Sequence, residues 1–162
     1  MSLSQTYAVT MENQTIVANA TLIILRAATS WSSRASMLDI LRVTVGQDGT
    51  STSQQLGVLL AQKASAFGTY TSTTPSPLAI GSVASGITGS TSAAAASAGT
   101  DASAEGAGTV TTIISDSFNN LNGYLWVPTP EERIVVGPDL AFIVKIRGTP
   151  TTLTGWNASV QF

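Results

Sequence analysis

Apolar and polar side chains alternate with a period of two along much of this chain. Tyr7, Val9 and Met11 alternate with Thr6, Ala8 and Thr10. Leu56, Val58 and Leu60 are interleaved with Gly57, Leu59 and Ala61, and Leu140, Phe142, Val144 and Ile146 with Ala141, Ile143, Lys145 and Arg147. Trp156, Ala158, Val160 and Phe162 alternate with Asn157, Ser159 and Gln161. Such alternation turns one set toward a core and the other toward solvent or a partner. Further strands are expected over 20–28, 36–46, 109–118, 121–127 and 132–137. The run Leu22-Ile23-Ile24-Leu25 does not alternate, which predicts a strand buried on both faces. Residues 54–64 could be helical, but Gly57 and the Thr/Ser-rich flanks favour a strand.

Turn residues punctuate these runs. Asp48-Gly49 suits a hairpin turn with positive φ, and Asn122-Gly123 is a similar signal. Pro128, Pro130, Pro138 and Pro150 bound the late strands, where a missing N–H would damage a central ladder. Eight or nine short strands argue for an all-β, single-domain β-sandwich or barrel over residues 1–162, with a jelly roll the most economical choice at this size. Residues 1–12 are expected to be an N-terminal arm or an edge strand.

One stretch breaks the pattern. From Gly81 to Thr109, 25 of 29 residues are Gly, Ala, Ser or Thr; the exceptions are Val83, Ile87, Asp101 and Glu105. A flexible linker is the plain reading of this composition. A loop this long within one domain is usually functional or disordered. It has too little apolar surface to order itself, so contact with a neighbouring subunit is expected to hold it.

Composition narrows the chemistry. The chain has no histidine and no cysteine, but 20 Ser, 23 Thr, 21 Ala and 14 Gly. General acid–base work near neutrality leans on histidine, and thiolate or zinc chemistry on cysteine and histidine. The expectation is a non-enzyme without cofactor. Seven basic residues are scattered and the net charge is −2, which disfavours nucleic acid. No apolar run approaches a membrane span, and residues 1–5 lack the charged and apolar regions of a signal peptide.

Few other chemistries remain open to this composition. Asp116 with Glu131 or Glu132 could form a glycosidase pair, but no spacing rule supports it, and a solvated turn explains the two glutamates. Lys63 and Lys145 lack the Ser-x-x-Lys spacing of a serine nucleophile, and no phosphate-binding Gly-Lys-Ser/Thr occurs. Asp48, Asp101 and Asp139 form no calcium-binding Asp-x-Asp-x-Asp loop. The Asn-x-Ser/Thr triplets at Asn13, Asn19 and Asn157 arise easily in so Ser/Thr-rich a chain.

The large aromatics suggest contacts instead. Trp156 shares a face with Val160 and Phe162, so it is expected in the core. Trp126 lies opposite Leu125 and Val127, and Trp31 sits in a loop composition beside Arg34. Tyr7, Trp31, Arg34, Val83, Ile87, Trp126, Glu131 and Arg133 are the interface candidates.

Several stretches resemble a known family. They are Ile40 to Gln47 with Gln55 to Lys63, Thr73-Thr74-Pro75-Ser76-Pro77-Leu78, Leu125-Trp126-Val127-Pro128-Thr129-Pro130-Glu131-Glu132-Arg133, and Gly155 to Phe162. Together they resemble tailed-bacteriophage virion proteins of the small β-sandwich, capsid-decorating kind. The resemblance implies a cement protein on the outer capsid surface, partnered by the major capsid protein and by its own copies, with a trimer favoured. The alternative is a carbohydrate-binding or host-adhesion module on a virion surface, using Trp31 or Tyr70 as a stacking platform.

Overall fold

The computed structural model describes residues 6–27, 37–49, 51–78 and 97–162. In chain order the strands are β1 (Tyr7–Gln14), β2 (Thr21–Arg26), β3 (Leu38–Ile40), β4 (Arg42–Gln47), β5 (Gln55–Ala64), β6 (Thr69–Ser72) and β7 (Ser76–Pro77). They continue with β8 (Ser97–Ala104), β9 (Thr109–Asn119), β10 (Tyr124–Trp126), β11 (Ile134–Val136), β12 (Leu140–Arg147) and β13 (Trp156–Gln161). Among the described residues the only helical element is a 3-10 turn at Pro130–Glu132. The expected all-β class is observed.

Two sheets carry the fold, one in the order β10-β4-β13-β1-β7, the other β6-β8-β2-β12-β5-β9. A two-stranded ribbon, β11-β3, stands beside them. One apolar cluster joins both sheets: Val9, Met11, Val43, Val45 and Val160 from the first meet Ile23, Leu25, Val58, Leu60, Phe142 and Val144 from the second. Two sheets sharing one interior are a β-sandwich arrangement. Trp156 is fully buried in this cluster, as its register with Val160 predicts, and its Nε1 donates to the Thr152 carbonyl at 3.1 Å.

The pairings are nested. β1 pairs with β13 and β2 with β12; β4 then takes the other side of β13, and β5 the other side of β12. Finally β10 joins β4 and β9 joins β5. β2 and β12 are therefore interior strands, and Thr21 to Leu25 are buried throughout, which explains why their sequence does not alternate. β5 spans most of residues 54–64, so the strand reading of that stretch holds.

Four sequence expectations are corrected. Residues 36–46 do not form one strand. β3 buries Leu38 and Ile40 and β4 buries Val43 and Val45, so the inward phase slips at Leu41, where the chain changes partner sheet. Asp48-Gly49 is not a hairpin turn, since β4 and β5 lie in different sheets, although Gly49 does adopt a positive φ of 74°. Residues 7–12 are not a free arm but lie in β1, which pairs with β13 regularly as far as Met11; on its other side β7 covers only Tyr7 and Ala8, so the remainder of β1 keeps the edge-strand character that was the alternative expectation.

The fourth correction concerns the low-complexity stretch. Its first part, 81–96, lies outside the described residues, together with Val83 and Ile87. Residues 97–104 are β8, paired to β2 on one side and β6 on the other, with Ala98 and Thr100 buried. The molecule's own sheet orders this segment. Small side chains serve here because Tyr70 lies directly over Gly99: a Cβ there would come within 1.9 Å of the Tyr70 ring. Tyr70 is also the residue expected as a stacking platform. Its ring is half-buried, and its hydroxyl meets Ser97 Oγ at 3.3 Å.

Candidate interaction surface

β9 and β10 are edge strands of different sheets, joined by the short turn 120–123. They consequently lie on one flank of the sandwich, where Phe118 and Tyr124 meet with ring centroids 6.0 Å apart. The turn is built by the Asn122 and Gly123 amides, both donating to the Asn119 carbonyl at 3.0 Å. Burial, and secondarily the Asp116 carboxylate, push the Tyr124 phenol above its ordinary value.

Exposed apolar residues are frequent in the sequence that carries these edge strands. Val110, Ile113, Leu121, Leu125, Val127 and Val135 are large, exposed and apolar, and all fall between residues 109 and 136. Only Val17, Met37, Leu78 and Leu153 share that property elsewhere among the described residues. Leu125 and Val127 are 58% and 62% exposed. Single exposed apolar residues need no explanation, but a concentration on sheet edges marks a contact surface. β9 is also long, at 11 residues, and carries one charge, Asp116. A bulge at Ile113, between the Leu60–Ile114 and Ala61–Thr112 pairs, interrupts it.

Four of the predicted interface residues can be placed. Glu131, in the 3-10 turn, and Arg133, just after it, are exposed. Trp126 is half-buried and packs on the core, while its neighbours Leu125 and Val127 are the outward residues. Tyr7 is half-buried, with its ring 6.2 Å from Phe162. Trp31 and Arg34 lie outside the described residues. Glu132 accepts from Thr129 N and Oγ1 at 3.4 and 3.2 Å, a turn-capping role in keeping with the solvated-turn reading.

A polar clamp that the sequence did not reveal lies on the outer face of the six-stranded sheet. Between β8 and β9, residues 105–108 form a strap from one side of that sheet to the other. Glu105 anchors it. Its Oε1 accepts from Thr21 N at 2.7 Å, and its Oε2 from Thr21 Oγ1 at 2.8 Å and Lys145 Nζ at 3.0 Å. Lys63, only 2% exposed, donates to the Glu105 carbonyl. Gly106 keeps the strap low: at φ 64°, a Cβ would come 2.2 Å from the Ala66 carbonyl oxygen.

Electrostatics fit a clamp. Burial alone would raise the Glu105 carboxyl, but the bonds from Lys145 and Thr21 outweigh it and hold the group below the ordinary glutamate value. Burial lowers the Lys63 ammonium below the ordinary lysine value; Glu105 opposes this and Lys145 adds to it. A covered amine already bonded to a carbonyl is placed to fasten chain rather than to attack a substrate. Among the described residues no group of three or more Asp or Glu side chains is placed to hold a metal ion.

No family model, curated protein or solved structure matches the chain.

Proposed function

We propose that this protein is a structural adhesive of a virion, a cement protein that binds the outside of a phage capsid and bridges its subunits. The observation that carries the reading is the set of exposed apolar side chains on the edge strands β9 and β10 and the turn that joins them, Leu121, Leu125 and Val127 above all. A protein that acts by sticking needs such a surface on a body that does not deform. The nested pairing supports a jelly-roll reading of that body: eight strands in two four-strand sets, β10-β4-β13-β1 and β9-β5-β12-β2, wired as two Greek keys. The resemblance of the Leu125–Arg133 and Gly155–Phe162 stretches to capsid-decorating proteins supplies the virion context.

On this reading the partners are the major capsid protein and further copies of the chain, in a closed and favoured threefold arrangement. Binding the assembled shell but not its dissociated parts would stabilise the shell by mass action. The test uses capsids with and without the protein, melted in parallel. Bound protein is expected to raise the shell's melting temperature, and Leu125→Asp with Val127→Asp to abolish that gain. Equal melting with and without the parent protein overturns the reading.

A further inference from the structure

A second surface lies on the outer face of the five-stranded sheet. There β1, β13 and β4 form a shallow bowl of about 680 Å³. Its floor is a row of small hydroxyl side chains. Thr10 is the register partner of Ser159, and Ser159 of Thr44. Gly46, paired with Asn157, leaves a gap beside them. A Cβ built at Gly46 meets nothing within 4 Å, so its missing side chain is open space rather than a packing need.

The rim is polar and already fixed. Asn157 Nδ2 donates to Asp48 Oδ2 at 2.6 Å, and Asn157 Oδ1 accepts from Asn13 N at 2.8 Å. Asn13 sits in the left-handed region at φ 49°, within the irregular stretch of β1 that ends its regular pairing at Met11. Asn tolerates that conformation better than most residues. Within the described residues, the hydroxyls of Thr10, Thr44 and Ser159, the Glu12 carboxylate and Asp48 Oδ1 make no hydrogen bond, so they are available to a ligand. Leu125, the partner of Thr44 on β10, is exposed next to this row but does not line the bowl.

We propose that this bowl binds a neutral, hydroxyl-rich ligand of the carbohydrate class. Carboxylates accept from sugar hydroxyls, and threonine and serine hydroxyls both donate and accept. Among the described residues the lining carries Glu12 and Asp48 and no basic residue, which turns away phosphates, sulfates and acidic sugars. None of the described lining residues is aromatic, so single-site affinity is weak and repeated display of the protein raises retention. The site lies on the other sheet from Tyr70 and borders the β10 edge at Leu125, so the variants that test it are placed on β4 and β13 instead.

The test is an array of neutral and acidic oligosaccharides probed with bead-displayed protein, followed by titration of the retained sugars. Neutral oligosaccharides are expected to be retained. Gly46→Tyr, which fills the bowl without touching the core, is expected to cut retention at least about tenfold while the melting temperature stays unchanged. Thr44→Val with Ser159→Ala provides a second pair should Gly46→Tyr unfold the protein, and is expected to weaken retention several-fold. The proposal is overturned if no neutral sugar is retained, if retention survives these substitutions in folded protein, if acidic sugars bind better, or if binding requires added calcium. Capsid melting is scored independently, so either reading can fail without the other.

Discussion

Replacing Glu105 with alanine should loosen the strap over the six-stranded sheet. The change removes three contacts at one carboxylate, two to Thr21 and one to Lys145. Thr21 is 4% exposed, so its amide and hydroxyl lose an acceptor where water has little access. An unsatisfied buried polar group costs about 1–3 kcal/mol. The Lys145 pair is partly wet, with side-chain exposures of 19% and 34%, so its share is discounted toward the roughly 0–1 kcal/mol of a surface pair. The loss totals about 2–4 kcal/mol, or a fall in melting temperature of roughly 5–15 °C at about 2–4 °C per kcal/mol for this size of domain. Glu105→Gln keeps one acceptor and should lose about half as much.

The assay is thermal unfolding followed by circular dichroism, with hydrogen exchange at residues 104–108 to localise the change. Acid titration adds a signed check. The Glu105 carboxyl lies below its ordinary value in the folded protein. Its stabilisation is therefore full above the unfolded pKa of about 4.3 and is lost as pH falls through the folded value. The parent should lose stability more steeply than Glu105→Gln in that acid range. A melting temperature for Glu105→Ala within about 2 °C of the parent, with unchanged exchange along the strap, would refute the reasoning.

Two further outcomes are expected. Lys63 has a folded pKa below its unfolded value, so raising pH from the folded toward the unfolded pKa favours the native state; parent protein should gain stability there relative to Lys63→Met, as followed by urea unfolding at stepped pH. Trp156→Ala empties a fully buried site and frees the Thr152 carbonyl, and should cost about 3–5 kcal/mol in urea unfolding, whereas a cost below about 1 kcal/mol would contradict its place in the core.

How far the sequence could be read depended on whether burial left a mark in residue type. β12 and β13 were legible because large residues alternate there. β2 was legible because an interior strand needs apolar groups on both faces. β8 was not, since Ala98 enters the core and Gly99 lies under Tyr70 without any bulky side chain to signal either. The break between β3 and β4 left a trace, the adjacent apolar pair Ile40-Leu41, but an uninterrupted strand accommodated it equally well. The clamp was hidden because Lys63 alternates to the outer face of β5, where a lysine ordinarily meets water, and only the strap above it shows otherwise. Leu125 and Val127 passed as neighbours of Trp126 because inward and outward are indistinguishable on a three-residue strand.

The placement of β13 has a kinetic consequence. It lies between β4 and β1, pairing Gln161 with both Arg42 and Ala8. Without residues 156–161, that sheet is two fragments, each with an open ladder edge. Closure must bring together positions some 150 residues apart, which places the protein among slow folders, on a scale of about milliseconds to seconds. During synthesis the half-built sheet must wait for its keystone, and throughout that interval its bare edges are open to capture by other nascent chains.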